Sequence, residues 1–133
     1  MGIPVLKGDE PMVEQALGLG SRIGVAATVP TALHPVTDLV RSRAQQAGRQ
    51  VKVSPLLCEG AYQALFSGHP EEHNRLVQAG LRRLMAESDV VLLAQGSMAQ
   101  AVATMPEEER AVPILTSPRL AVERVREVIS IQR

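Results

Sequence analysis

The residues of this chain best placed for chemistry are Gln95, Gly96 and Ser97, which stand directly after a short apolar run, Val90–Ala94. The unbroken apolar run predicts a strand buried on both faces, and the Gly-Ser pair predicts that a helix begins immediately after it. In open α/β sheets, ligands bind beyond the carboxyl ends of the strands, so Gln95 would face a ligand. A neutral amide donates and accepts hydrogen bonds but does not shuttle a proton at neutral pH. The position therefore favours binding more firmly than acid–base catalysis.

Hydroxyl groups follow two other predicted strands. Thr28 and Thr31 come at the end of one apolar run, and Ser117 follows another, Val112–Thr116. The first amides of helices starting at Ser97 and Ser117 would point N–H groups toward a ligand, which suits a carboxylate or a phosphate. For each serine taken alone, the alternative is that it only caps its helix. Together, the three loops predict a candidate anion site that includes Ser117.

The sequence leaves open the roles of the single cysteine and the three histidines. Cys58, the single cysteine, follows a predicted strand near a helix start, which could lower its pKa; a small buried filler is the alternative. His34 could reach the strand ends as an acid or base, or could cap a helix. His69 and His73 have a spacing that could hold a metal on one helix face, but His69 is expected to precede the helix, so we predict no metal site. One cysteine excludes an intrachain disulfide and fits a cytoplasmic location.

The elements that must position these residues alternate between short β-rich runs and longer helical ones. This alternation predicts an α/β fold with an open, mostly parallel, four-stranded sheet and helices on both faces. Residues 1–20 are expected to form a linking segment and helix, and residues 21–133 a single domain. The predicted strands are Arg22–Thr28, Gln50–Leu57, Val90–Ala94 and Val112–Thr116. Helices are predicted to begin near Asp9, Pro35, Ala61, Pro70, Ser97 and Ser117.

Composition excludes several classes of protein. Fourteen Lys and Arg balance fourteen Asp and Glu, and aromatic residues make up only 2% of the chain, so neither a basic surface nor a stacking platform for nucleic acid is expected. No apolar run approaches the roughly 18 residues of a membrane-spanning helix, and no signal peptide is predicted. The dinucleotide-binding, P-loop and G-x-S-x-G patterns do not occur.

Four segments resemble the aspartate/glutamate/hydantoin racemase superfamily in their order and spacing: Arg22–Thr31, Leu57–Ala61, Val90–Ala99 and Val112–Pro118. The resemblance implies a flavodoxin-like α/β half of a fold in which two similar halves face each other across a cleft. In that family each half typically supplies one catalytic cysteine, and proton transfer needs no cofactor. The chain resembles only the carboxyl-terminal half.

Carried over by position, Gln95 takes the place of the family's second catalytic cysteine, and Cys58 aligns with neither cysteine. The implied carboxylate loop is Thr28, Val29, Pro30 and Thr31, and the residues after Gln95 are Gly96, Ser97 and Met98. The resemblance thus implies a fragment that binds a small carboxylate, from a parent racemase, isomerase or decarboxylase. A non-catalytic ligand-binding or homo-oligomeric interaction domain is the alternative. The expected partners are a missing amino-terminal half or a second copy, with neither nucleic acid nor membrane.

Overall fold

The computed structural model describes residues 4–116, which form one parallel sheet flanked by helices. In chain order the strands are β1 (Arg22–Ala27), β2 (Lys52–Leu57), β3 (Val90–Leu93) and β4 (Ile114–Thr116). The α-helices are α1 (Pro4–Leu19), α2 (Pro30–Gln46), α3 (Ala61–Phe66), α4 (Pro70–Met85) and α5 (Ala99–Ala103). Two short 3₁₀ turns span Gly96–Met98 and Glu107–Glu109.

The strand order is β2-β1-β3-β4, and every neighbouring pair is parallel. This confirms the predicted open, parallel α/β sheet. Strand β3 lies between β1 and β4 and all four of its residues are buried, as its unbroken apolar run predicted. Strand β4 is at an edge, where Pro113, just before it, loses no sheet hydrogen bond.

Each face of the sheet has its own apolar core, so the helices cover both faces as predicted. On one face, side chains of α1 and α2 pack against alternate residues of β1 and β3, including Ile23, Val25 and Leu92. On the other face, α3, α4 and α5 pack against Ala26 and Val91. The alternation follows from the strand geometry, in which successive side chains point to opposite faces.

Helix α2 begins at Pro30, five residues before the predicted start at Pro35. The prediction took Pro35 as the first helical residue, but Pro30 holds that place, where a fixed φ and a missing N–H cost nothing. Pro35 lies inside the helix. Thr31 therefore belongs to the first turn of α2 and not to a loop. The predicted final helix after Ser117 lies outside the described residues.

The amino-terminal ends of β1 and β3 are held together by Asp89. Its carboxylate accepts hydrogen bonds from the backbone N–H groups of Ser21 and Arg22, at 3.1 and 3.0 Å. The Arg22 guanidinium adds two more, at 3.2 and 2.9 Å. The approach is so close that a Cβ on Gly20 would clash with the Cβ of Asp89. The Arg22 guanidinium, followed by the backbone N–H groups, lowers the pKa of Asp89.

A lowered pKa predicts how stability depends on pH. Because the folded carboxyl has the lower pKa, its contribution is present above the ordinary aspartate pKa and is lost as the pH falls through the folded value. We expect Asp89→Asn to lower the free energy of unfolding near neutral pH, with the difference from wild type shrinking in acid. Urea unfolding at several pH values measures this, with the exposed Asp38→Asn in α2 as control. A pH-independent difference for Asp89→Asn would contradict the interpretation.

Candidate functional site

The carboxyl ends of β1 and β3 meet because the two strands are neighbours in the sheet. Ala26 pairs with Leu93, and the Ala94 N–H donates to the Ala26 carbonyl at 3.0 Å. Thr28 directly follows β1, and Gln95 is the second residue after β3. These two residues, 67 positions apart in the sequence, therefore reach the same edge of the sheet.

The side-chain oxygen of Gln95 accepts three hydrogen bonds at this edge. The Thr28 N–H donates to Oε1 at 2.5 Å, the Thr28 hydroxyl at 3.0 Å and the Val29 N–H at 3.3 Å. We call these three groups the donor cluster. They fix the orientation of the amide, because only its oxygen can accept from them. The Nε2 atom finds no acceptor among residues 4–116.

The donor cluster stands at the amino-terminal end of α2. Val29 is the residue before the helix, with extended backbone angles (φ −136°, ψ 146°), and its own side chain makes no capping hydrogen bond. Its carbonyl instead accepts from the N–H groups of Ala32 and Leu33, each at 3.2 Å. A helix of 17 residues directs partial positive charge toward this end. The cluster thus offers three donors and a favourable field to one acceptor oxygen, which is what an anionic oxygen requires.

The other predicted site residues are distributed around this edge. Pro30 and Thr31 are exposed in the first turn of α2. Gly96 and Ser97 are half-buried, and Met98 is fully buried in the core against α4 and α5. Ser97 does not cap a helix, because the 3₁₀ turn begins one residue earlier with Gln95 in the capping position. Ser117 lies outside the described part of the chain.

Cys58 is buried, as its alternative role as an apolar filler predicts. Only 5% of its surface is exposed, and its Sγ would lie 2.8 Å from a Cβ placed on Gly80 of α4. Burial raises the pKa of the thiol to about 11. The structure therefore gives no support to a lowered pKa at this position.

The raised pKa predicts slow reaction of Cys58 with thiol reagents. At pH 7 about one thiol in ten thousand would be ionised, and the thiolate is the reacting species. We expect a disulfide reagent to label the folded protein far more slowly than the urea-unfolded protein. Cys58→Ala supplies the unlabelled baseline. Equally fast labelling of the folded and unfolded protein would contradict the assignment.

The three histidines do not meet at the donor cluster. His34 is exposed in α2, and His69 precedes α4, as predicted. His73 is 1% exposed; its Nδ1 lies 2.9 Å from the Asn74 side-chain oxygen. Among the residues whose side chains the structure describes, 10–116, no group of three or more His, Cys, Asp or Glu could hold a metal ion.

Grooves on the surface lie away from the donor cluster. One of about 760 Å³ is bordered by Val102, Glu107 and Arg110, and one of about 640 Å³ by His69, Glu72 and Arg75. Both are open surface features with charged rims. The donor cluster is the candidate site, because three donors converge there on the side-chain oxygen of Gln95. None of the helices in the described region has the length and apolar character needed to cross a membrane.

The fold and the site define an open parallel α/β domain with hydrogen-bond donors gathered at the carboxyl edge of its sheet. The family model for Asp/Glu/Hydantoin racemase matches residues 1–125, and the chain belongs to that family. The family predicted from the four sequence segments is thus confirmed.

A solved structure is also similar to the chain: the allantoin racemase from Pseudomonas fluorescens, at 19% identity and a TM-score of 0.48. The match covers 94% of this chain and 52% of that protein. The chain therefore spans about half the length of that racemase. No functionally curated protein matches the chain.

Thr28 and Gln95 were predicted to lie at the same edge of the sheet, but the hydrogen bonds between them were not predicted. The available signal was the length of the glutamine side chain, which can reach across neighbouring strand ends. That β1 and β3 are neighbours was not predicted, so the contact itself could not be derived.

Proposed function

We propose that this chain is a small-carboxylate-binding domain of a racemase-family protein, with the donor cluster as the place where a carboxylate oxygen binds. The observation that carries the proposal is the convergence of three donors on one oxygen at the start of α2. Hydrogen bonds to a charged acceptor are roughly twice as strong as those to a neutral one, so a carboxylate would gain more here than the Gln95 amide does. Thr31, Ser97 and Ser117 would border the bound molecule.

The chemistry we propose for the parent protein is cofactor-independent racemisation, isomerisation or decarboxylation of a small carboxylate in the cytoplasm. Inverting a carbon centre requires one group to remove the α-proton and another to return it on the opposite face. Gln95 cannot carry that proton at neutral pH, and the thiol of Cys58 is buried with a raised pKa. Any catalytic thiol would therefore come from another half of the protein facing this edge.

Titration of isotope-labelled protein with L-aspartate and L-glutamate, followed by amide NMR shifts, tests the binding site. We expect the largest shifts at the Thr28 and Val29 amides. Thr28→Val removes one donor while keeping side-chain shape, and one hydrogen bond to a charged group corresponds to a loss of affinity of about tenfold.

Thr37→Val is the matched control, because it also removes a buried hydroxyl from the same part of the chain. The Thr37 hydroxyl donates to the Leu33 carbonyl within α2, at 2.7 Å, and does not contact the donor cluster. We expect this variant to bind like wild type. Equal affinities of Thr28→Val and Thr37→Val, or shifts confined to other parts of the chain, would contradict the proposed function.

A homo-oligomeric interaction domain is the second candidate, and an exposed aromatic pair favours it. The chain's single tyrosine and single phenylalanine, Tyr62 and Phe66, stack on each other on α3 with ring centres 6.1 Å apart. Phe66 is 82% exposed and Tyr62 is 45% exposed, so the two stacked rings together present an apolar surface to solvent. Sedimentation of the protein at micromolar concentration tests the interaction-domain candidate. A stable dimer favours it, and a monomer opposes it.

A further inference from the structure

The Gln95 side chain occupies the position that the proposed function gives to a ligand. Its oxygen takes all three groups of the donor cluster, and its planar amide has nearly the shape of a carboxylate. Each N–H group has one proton to donate, so the donor cluster cannot bind Gln95 and a ligand oxygen fully at the same time.

We propose that Gln95 is an internal occupant of the carboxylate site, so that a ligand binds only when this side chain turns away from Thr28 and Val29. The inference rests on the proposed function for its ligand. It adds that affinity is set by a competition between an external carboxylate and an amide of the protein's own chain.

The identity of the occupant makes this competition reversible. A glutamine oxygen is neutral, so it satisfies the donors without neutralising the partial positive charge at the start of α2. A carboxylate has the stronger charge-assisted hydrogen bonds and can displace it. Gln95 is only half-buried and its Nε2 has no partner within the described residues, so few contacts besides the donor cluster hold the side chain in place.

Displacement reduces the affinity of every ligand by the same factor, because all ligands compete with the same closed form. If the open form makes up about a tenth of the molecules, the observed dissociation constant is about tenfold larger than that of the open site. Removing the Gln95 side chain should therefore lower the observed dissociation constant to that of the open site.

Gln95→Ala and Gln95→Glu test the proposal from opposite sides. Gln95→Ala empties the site, and we expect it to bind L-aspartate about tenfold more tightly than wild type in the amide NMR titration. Gln95→Glu places a permanent carboxylate on the donor cluster, and we expect it to show no L-aspartate binding there. Gln78→Ala is the matched control: Gln78 is also half-buried, and its amide nitrogen donates to the Ala101 carbonyl at 2.8 Å, away from the site.

The outcomes separate this inference from the proposed function. Tighter binding by Gln95→Ala, with Gln78→Ala unchanged, supports the inference, and binding no tighter than wild type overturns it. If no variant binds L-aspartate, the proposed function fails and this inference fails with it. Where wild type does bind, titration of the Gln95→Glu carboxyl in ¹³C NMR is a second test of the inference. A carboxyl pKa below the ordinary glutamate value supports internal occupancy of an anion position, and an ordinary pKa overturns it.

Discussion

Replacing Gly24 with valine is expected to destabilise the protein by about 3 kcal/mol or more, because there is no space for a side chain at this point of β1. A Cβ at Gly24 would lie 2.6 Å from the Leu84 Cγ and 2.8 Å from the Ser88 hydroxyl oxygen. Both neighbours are buried in the packing of α4 against the sheet. The buried Leu84 and Ser88 side chains must repack, or α4 or β1 must shift.

Urea unfolding of Gly24→Val and Gly24→Ala measures the effect, which should be smaller for alanine than for valine. Gly18→Ala is the control, because a Cβ at Gly18 in α1 meets nothing within 4 Å. We expect that variant to be as stable as wild type or slightly more stable, since alanine favours helix over glycine. Wild-type stability of Gly24→Val would show that β1 and α4 are not packed as the structure has them.

Leu92→Ala is expected to cost about 2–5 kcal/mol, through lost burial and the cavity left behind. Leu92 is fully buried in the middle of β3, paired with Val25 of β1 on one side and Leu115 of β4 on the other. Because the sheet holds it on both sides and helices cover it, the surroundings have little freedom to collapse into the space.

Leu19→Ala provides the comparison for Leu92→Ala. Leu19 is 46% exposed at the end of α1, so the same change there should cost far less. Equilibrium unfolding in urea measures both variants. Similar losses of stability for the two variants would contradict the central position of β3 in the sheet. They would also contradict the arrangement that brings Gln95 to the carboxyl end of β1.

Much of the fold could be predicted because the residues that begin helices, and the apolar runs that form strands, agree with how these elements pack. Helices α3 and α4 begin where predicted, at Ala61 and Pro70. Pro70 fixes the start of α4, and Gly68, with a positive φ of 85°, makes the turn before it. Strand β3 was recognisable because residues buried on both faces leave an unbroken apolar run.

The atomic arrangement of the candidate site could not be predicted, because it depends on the order of the strands. The sequence indicated that Thr28 and Gln95 share one edge, but it contains no signal that β3 lies beside β1 and not beside β2. Two prolines in α2 also gave competing helix starts, so the first turn that presents Val29 was misplaced. A small buried filler was one of the two roles predicted for Cys58, but the close approach of α4 at Gly80 that buries it is not visible in the local sequence.

We propose that this edge of the sheet binds a small carboxylate without moving a proton on carbon. Proton NMR of L-aspartate with the protein in D₂O tests both parts in one sample. We predict saturation transfer from protein to L-aspartate, together with an α-proton signal that keeps its intensity over many residence times, because Gln95 and Cys58 offer no proton carrier at neutral pH. Rapid exchange of the α-proton for deuterium would show that a proton carrier is present, and no saturation transfer at all would show that L-aspartate does not bind.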